Sequence, residues 1–184
     1  MAKSLKRTST PRTTTIGEGR FLRLAKRGKW EFCERHGSSG VVGIIATTKG
    51  GKLILVEQWR EPVGAKAIEL PAGLVGDAED DEGESSVAAA LRELEEETGY
   101  HARNGGELVV SGGCVSAGMT SERVDLVRAK GVKKIGPGGG VDGEDITVHS
   151  IPLKKVPKFL ERSQADGCTV DFKVWAALWL VSQE

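Results

Sequence analysis

The 184-residue chain holds no apolar run approaching the roughly 20 residues of a membrane-spanning helix. It shows no secretory apolar region near its start and no internal repeat. Neither sign of charge is in excess: 26 lysines and arginines stand against 26 aspartates and glutamates, so the overall balance offers no case for nucleic-acid binding. Cysteine is scarce. Cys33, Cys114 and Cys168 are odd in number and scattered, with no Cys-x-x-Cys pair. That argues against a disulfide scaffold or zinc site and for a reducing, cytoplasmic setting. His36, His101 and His149 lack metal-ligand spacing and read as loop or surface residues. The length suits one soluble domain with its own core.

What the chain has instead is acid in one place. The run Arg92-Glu93-Leu94-Glu95-Glu96-Glu97-Thr98-Gly99-Tyr100 sets four glutamates within five residues. Like charges at helical spacing repel, so such a run weakens an isolated helix. Ser85 and Ser86 nevertheless offer N-caps, Gly99 offers a C-terminal stop, and Ala, Leu and Glu fill the interior. At about 100° per residue, Val87, Leu91, Leu94 and Thr98 form an apolar stripe, from which Glu93, Glu96 and Glu97 point largely away. Clustered carboxylates suit hard cations that take oxygen ligands. The leading expectation is therefore a magnesium-dependent enzyme acting on phosphate compounds, against the blander reading of a solvated acidic face. Arg92 follows Glu84 by eight residues, a spacing that allows a loop-to-helix ion pair.

Glu84, seven intervening residues, then Arg92-Glu93-Leu94-x-Glu96-Glu97-x-Gly99-Tyr100 resembles the signature of the Nudix hydrolases. One departure lies upstream, where ten residues separate Gly73 from Glu84 and the family has five. This reads as an acidic insertion within residues 76–82, a change that loops tolerate cheaply. Val56-Glu57-Gln58-Trp59-Arg60-Glu61-Pro62, Glu69-Leu70-Pro71-Ala72-Gly73 and the loop Ser116–Arg123 are similar to the branch that hydrolyses ADP-ribose and other nucleoside diphosphate sugars. Ala117 stands where that branch usually has proline.

The resemblance implies an α+β fold, an α/β/α sandwich around a mixed sheet with a short N-terminal β element. It implies a Mg2+-dependent pyrophosphohydrolase, with Mn2+ also acceptable to oxygen ligands. Glu93, Glu96, Glu97 and the carbonyl of Ala72 are the implied metal ligands. Glu144 is the implied general base, with Asp142 and Asp145 as alternatives, while Glu84 and Arg92 hold the catalytic loop. Arg60 is suited to a phosphate oxygen, or else to an ion pair with Glu61 or Glu69. Trp30 is a candidate for base stacking or for plain packing. By resemblance Glu122 and Met119 belong to the substrate loop, and the N-terminal strands exchange in a homodimer. Hydrolysis of another nucleotide and a non-catalytic nucleotide-binding role are the alternatives, the second disfavoured by the intact glutamates.

The expected domains are a disordered tail over 1–16, the β element over 17–40 and the hydrolase domain over 41–184. Strands are expected near residues 21–24, 29–35, 41–46, 53–59, 67–70, 107–111, 123–130 and 146–153, with short helical structure over 157–163. A final helix over 171–182 is expected to use Phe172, Trp175, Leu178 and Trp179 as its core face. Gly136 to Gly140 reads as a flexible connector.

Overall fold

Period-two alternation along one buried strand sets the layers of this fold. The computed structural model describes residues 11–37, 39–76, 83–140 and 143–183. The first ten residues, the expected insertion from residue 77 onward and Asp142 lie outside them.

Strand β4 (Gly40–Thr48) is buried from Val42 through Ala46. Val42, Ile44 and Ala46 point to one face, where they meet Ala89, Ala90 and Leu94 of helix α1 (Ser86–Thr98). Ile45 points to the other, where Leu160 of α2 (Val156–Ala165) and Val174 and Ala177 of α3 (Phe172–Ser182) belong to the same core. A strand covered on both faces reads as a continuous apolar run, as this one does. Two cores thus sandwich the sheet between α1 on one side and α2 with α3 on the other, which is the expected fold.

The sheet is completed by β5 (Lys52–Arg60), β6 (Ala65–Glu69), β7 (Ala72–Val75), β8 (Tyr100–His101), β9 (Glu107–Cys114), β10 (Arg123–Lys134), β11 (Thr147–Pro152) and β12 (Thr169–Val170). Its main path is β12-β6-β5-β4-β10-β8, with β11 on β5, β7 on β4 and β9 on β10. β4 and β10 run parallel, Val41 opposite Val124 and Ala46 opposite Ala129. β4 and β5 meet as the expected hairpin across Lys49-Gly50-Gly51, with Thr47 opposite Leu53.

Strands β1 (Thr13–Glu18), β2 (Leu22–Arg27) and β3 (Trp30–Arg35) form a second, antiparallel sheet. The expected tail is too long: Thr13, Thr14 and Thr15 pair with β2, and Arg27 Nε donates to Thr13 Oγ1 at 2.7 Å. The run Thr-Thr-Thr-Ile is β-branched, and pairing overrides the polar composition that suggested disorder. Cys33 ties this sheet to the loop after β9. Its N–H donates to Met119 O at 2.9 Å, and its carbonyl accepts from Ser121 N–H at 3.1 Å.

Four further expectations are corrected. In α3 the buried residues are Val174 and Ala177, while Phe172, Trp175 and Trp179 are exposed. Apart from Lys173 and Ser182 this helix is apolar all round, so a helical wheel could not select its inner face. Glu97 does not point away from the core: it lies almost beneath Ala90 and Leu94 on the wheel and is 4% exposed. The connector at 136–140 is docked. The Gly139 N–H donates to Glu97 O at 2.8 Å and the Gly140 N–H to Glu96 O at 3.2 Å, satisfying carbonyls at the end of α1. Finally, His149 sits within β11, its Nε2 2.9 Å from Glu57 and its ring against Phe159.

Candidate active site

Helix α1 begins where its N-cap is satisfied and stops where its glycine turns. Ser85 accepts from the Ala88 N–H at 3.2 Å, and Gly99, with φ 68°, donates to Glu95 O at 2.8 Å. Strand β7 crosses the acidic face of this helix. Glu97 Oε2 accepts the Ala72 N–H at 3.0 Å. Gly73 lies so close to Glu93 that a Cβ there would overlap the carboxylate. The Ala72-Gly73 step therefore has a packing reason independent of its spacing from Glu84.

Arg92 organises the rest. Its Nε donates to Glu84 Oε1 at 3.3 Å, its Nη1 to Glu93 Oε1 at 2.9 Å and to Glu96 Oε2 at 3.2 Å, and its Nη2 to Leu74 O at 3.3 Å. Glu84 also accepts the Gly76 N–H at 3.1 Å. Burial pushes the Glu84 carboxyl up, but the Arg92 guanidinium and the Gly76 N–H outweigh it and hold it below the usual carboxylate range. Burial opposes the charge on Arg92, yet Glu84 and Glu93 keep it above its ordinary value. The expected loop-to-helix pair is present.

Burial pushes the Glu97 carboxyl up to about 8. The Ala72 N–H opposes that shift, the charges of Glu93 and Glu144 add to it, and Arg60 opposes it.

Ala72, Gly73, Glu93, Glu97 and Glu144 line one cleft of about 400 Å³. Its remaining wall carries Arg60, Glu69, Glu122, Arg35 and Lys173. Glu144 is packed over Gly140, where a Cβ would overlap its carboxylate, so the docked connector delivers it to the site. Asp145 does not line the cleft; its charge is felt by Lys66. Arg60 Nε donates to Glu69 Oε2 at 2.8 Å, so the ion-pair reading and the cleft position hold together. Glu122 accepts from Arg35 Nε at 2.7 Å. Glu96 binds Arg92 and is outside the lining. The chain's own fold leaves Trp30, 64% exposed, and Met119, 68% exposed, outside this cleft. Trp30 instead edges a separate cavity of about 350 Å³ with Arg27, Phe32 and Gly118.

Sequence reasoning missed Arg35 and Lys173. No motif marks either one, because each reaches the cleft from a segment far from α1. Lys173 follows Asp171, the N-cap of α3, and is ion-paired with it.

Among the described residues no three acidic, histidine or cysteine side chains form a ready-made metal cage. The donor chemistry still fits a hard cation: the cleft offers oxygen ligands only, and one is a buried carboxyl disfavoured as an anion by its acidic neighbours.

The NUDIX domain matches residues 38–123. A methanol dehydrogenase activator of Bacillus methanolicus is 37% identical over 150 residues, covering 78% of this chain and 77% of that protein. An ADP-sugar pyrophosphatase of Mus musculus is 38% identical over 187 aligned positions, covering 88% and 81%. An ADP-ribose pyrophosphatase of Saccharomyces cerevisiae is 32% identical over 170 residues, covering 81% and 68%. A crystal structure of an ADP compounds hydrolase shares the fold, with a TM-score of 0.73 at 21% identity over 99% of this chain and 96% of that one.

Proposed function

The chain belongs to the Nudix hydrolases, and from that premise we propose that it cleaves the diphosphate of ADP-ribose or a related nucleoside diphosphate sugar, releasing a nucleoside monophosphate and a sugar phosphate. The observation that carries the reading is the convergence of Glu93, Glu97 and Glu144 on one cleft with Arg60, Arg35 and Lys173 on its other wall. The names of the mouse and yeast relatives support the substrate class.

A diphosphate is anionic and repels a nucleophile, so charge neutralisation and a positioned water are required. Arg60, Arg35 and Lys173 put positive charge on one wall of the cleft, which suits phosphate oxygens. Glu144 accepts the proton as water adds to phosphorus and the P–O–P bond breaks. Glu93, Glu97, the Ala72 carbonyl and Glu96 would hold Mg2+ or Mn2+, which would supply charge neutralisation and acidify a bound water. Glu93 and Glu96, both paired with Arg92 in the metal-free chain, would then share their oxygens with the ion. Arg92 and Glu84 keep the loop against α1.

The acting unit is a homodimer in the cytoplasm. Ile16, Phe21, Leu22, Leu24 and Trp30 are exposed apolar residues on or beside a three-stranded sheet, which is more apolar surface than a lone small sheet keeps in water. A second copy covers them and brings Trp30 and Met119 to the partner's cleft.

The test is turnover on ADP-ribose, GDP-mannose, UDP-glucose, diadenosine polyphosphates and an oxidised dGTP, with Mg2+ and with chelator. Metal-dependent release of a nucleoside monophosphate from ADP-ribose or a nucleotide sugar is expected. Preference for the triphosphate would overturn the substrate class. Tight nucleotide binding without any turnover would make the chain a binding module.

A further inference from the structure

The end of the sheet remote from the catalytic cleft carries a concentration of positive charge that the proposed reaction does not use. Val41, near the start of β4, lines the catalytic cleft, and Thr48, at its end, lines a groove of about 680 Å³. The two are separated by about 20 Å of strand.

Three elements build the groove. β10 runs past the end of β4 and pairs with β8, setting Lys133 opposite His101. The turn after β8, closed by the Gly105 N–H on Ala102 O at 3.0 Å, presents Arg103 and Asn104. The β4–β5 hairpin presents Lys49. Gly131, with φ 69°, breaks the register of β10 beside that hairpin. The Lys49 side chain lies along it, its Cγ 3.5 Å from where a Cβ of Gly131 would be.

No aspartate or glutamate among the described residues lines this groove, in a chain whose acids and bases are equal in number. Among the described residues, Lys49, Arg103 and Lys133 take part in no ion pair. Two further side chains of the groove are engaged: His101 Nδ1 lies 2.6 Å from Glu95, and Lys134 donates to Pro137 O at 3.2 Å. Three exposed cations from three elements, gathered around a cavity without acids, raise the local concentration of anions. The volume is in the range of a nucleotide-sized ligand. Arg103 offers a planar fork for phosphate oxygens, and the lysines offer compact charges.

We propose that this groove is a second binding site, taking a small phosphate-bearing anion through Lys49, Arg103 and Lys133. It is independent of the catalytic reading and stands or falls without it.

Inorganic tripolyphosphate, titrated calorimetrically into the full chain with chelator present, tests the site. Binding is expected to survive Arg60→Ala, which alters the catalytic cleft. It is expected to weaken about tenfold or more in the Lys49→Gln, Arg103→Gln, Lys133→Gln triple variant, with the melting transition retained. The single reversal Lys49→Glu weakens it in the same direction and guards against misfolding of the triple variant. Three results would overturn the proposal: no binding at millimolar tripolyphosphate, binding lost in Arg60→Ala but kept in the triple variant, or a single-stranded RNA bound through these three side chains when tripolyphosphate is not.

Discussion

The Glu97 carboxylate accepts the Ala72 backbone N–H at 3.0 Å, joining the buried face of α1 to the strand that crosses it. This one bond connects the sheet, the helix and the candidate metal site.

With its carboxyl pushed up to about 8 from 4.5, Glu97 binds a proton in the folded state that the unfolded chain releases. Its contribution to stability is therefore fully present below about pH 4.5 and is lost as pH rises through about 8. Metal-free protein is expected to lose a few kcal/mol across that window, and Glu97→Gln is expected to flatten the loss. Thermal melts at several pH values with chelator check this, and Mg2+ should restore stability in the native chain at pH 8 but not in the variant.

Removing Arg92 leaves Glu84 buried without its guanidinium partner. Arg92→Ala is expected to cost about 3–5 kcal/mol in denaturant unfolding. Arg92→Lys keeps a charge but not the fork that spans Glu84, Glu93 and Leu74, so it should recover only part of that loss.

Gly138, with φ 68°, packs so tightly on Thr98 and Gly99 that a Cβ would overlap their backbone. Gly138→Ala is expected to lift the connector from α1 and withdraw Glu144. Stability should fall by about 1–3 kcal/mol, and kcat should fall while Mg2+ affinity holds. An unchanged kcat would show that docking of the connector does not position the base.

Glu144→Gln is expected to lower kcat by about 10²–10⁴ with KM little altered. Initial rates on ADP-ribose over pH 6–9 check this. If Asp145→Asn instead produced the loss, the base would be misassigned.

Trp30→Ala is expected to raise KM for the nucleotide substrate by an amount matching about 1–3 kcal/mol of base stacking, with kcat nearly kept. Phe21→Asp, placing charge on a residue 63% exposed in the turn between β1 and β2, should shift the chain to monomer in sedimentation and raise KM in parallel. A monomeric native chain would overturn the shared-site reading.

The parts of the site legible in sequence are local ones. Glu84 and Arg92 meet because a short loop and two helical turns hold their spacing, and Ser85 and Gly99 bound α1 through capping chemistry that operates within a few residues. The longer strands of the central sheet announced themselves by β-branched and apolar runs, whereas the short β7, β8 and β12 did not, since two to four residues carry no period to read. The inner face of α3 did not, since a helix apolar on nearly every side carries no period to read.

Mixed α and β elements, the acidic helix and the kind of cation it suits were legible in the chain alone, because periodicity, capping and clustered carboxylates are properties of neighbouring residues; the sandwich arrangement followed from the family resemblance. Long-range packing settled the burial of Glu97, the docking of the glycine connector, and the common cleft wall of Arg35, Arg60 and Lys173. Burial and convergence depend on which distant segments pack together, and nothing in the local pattern around any of these residues carries that information.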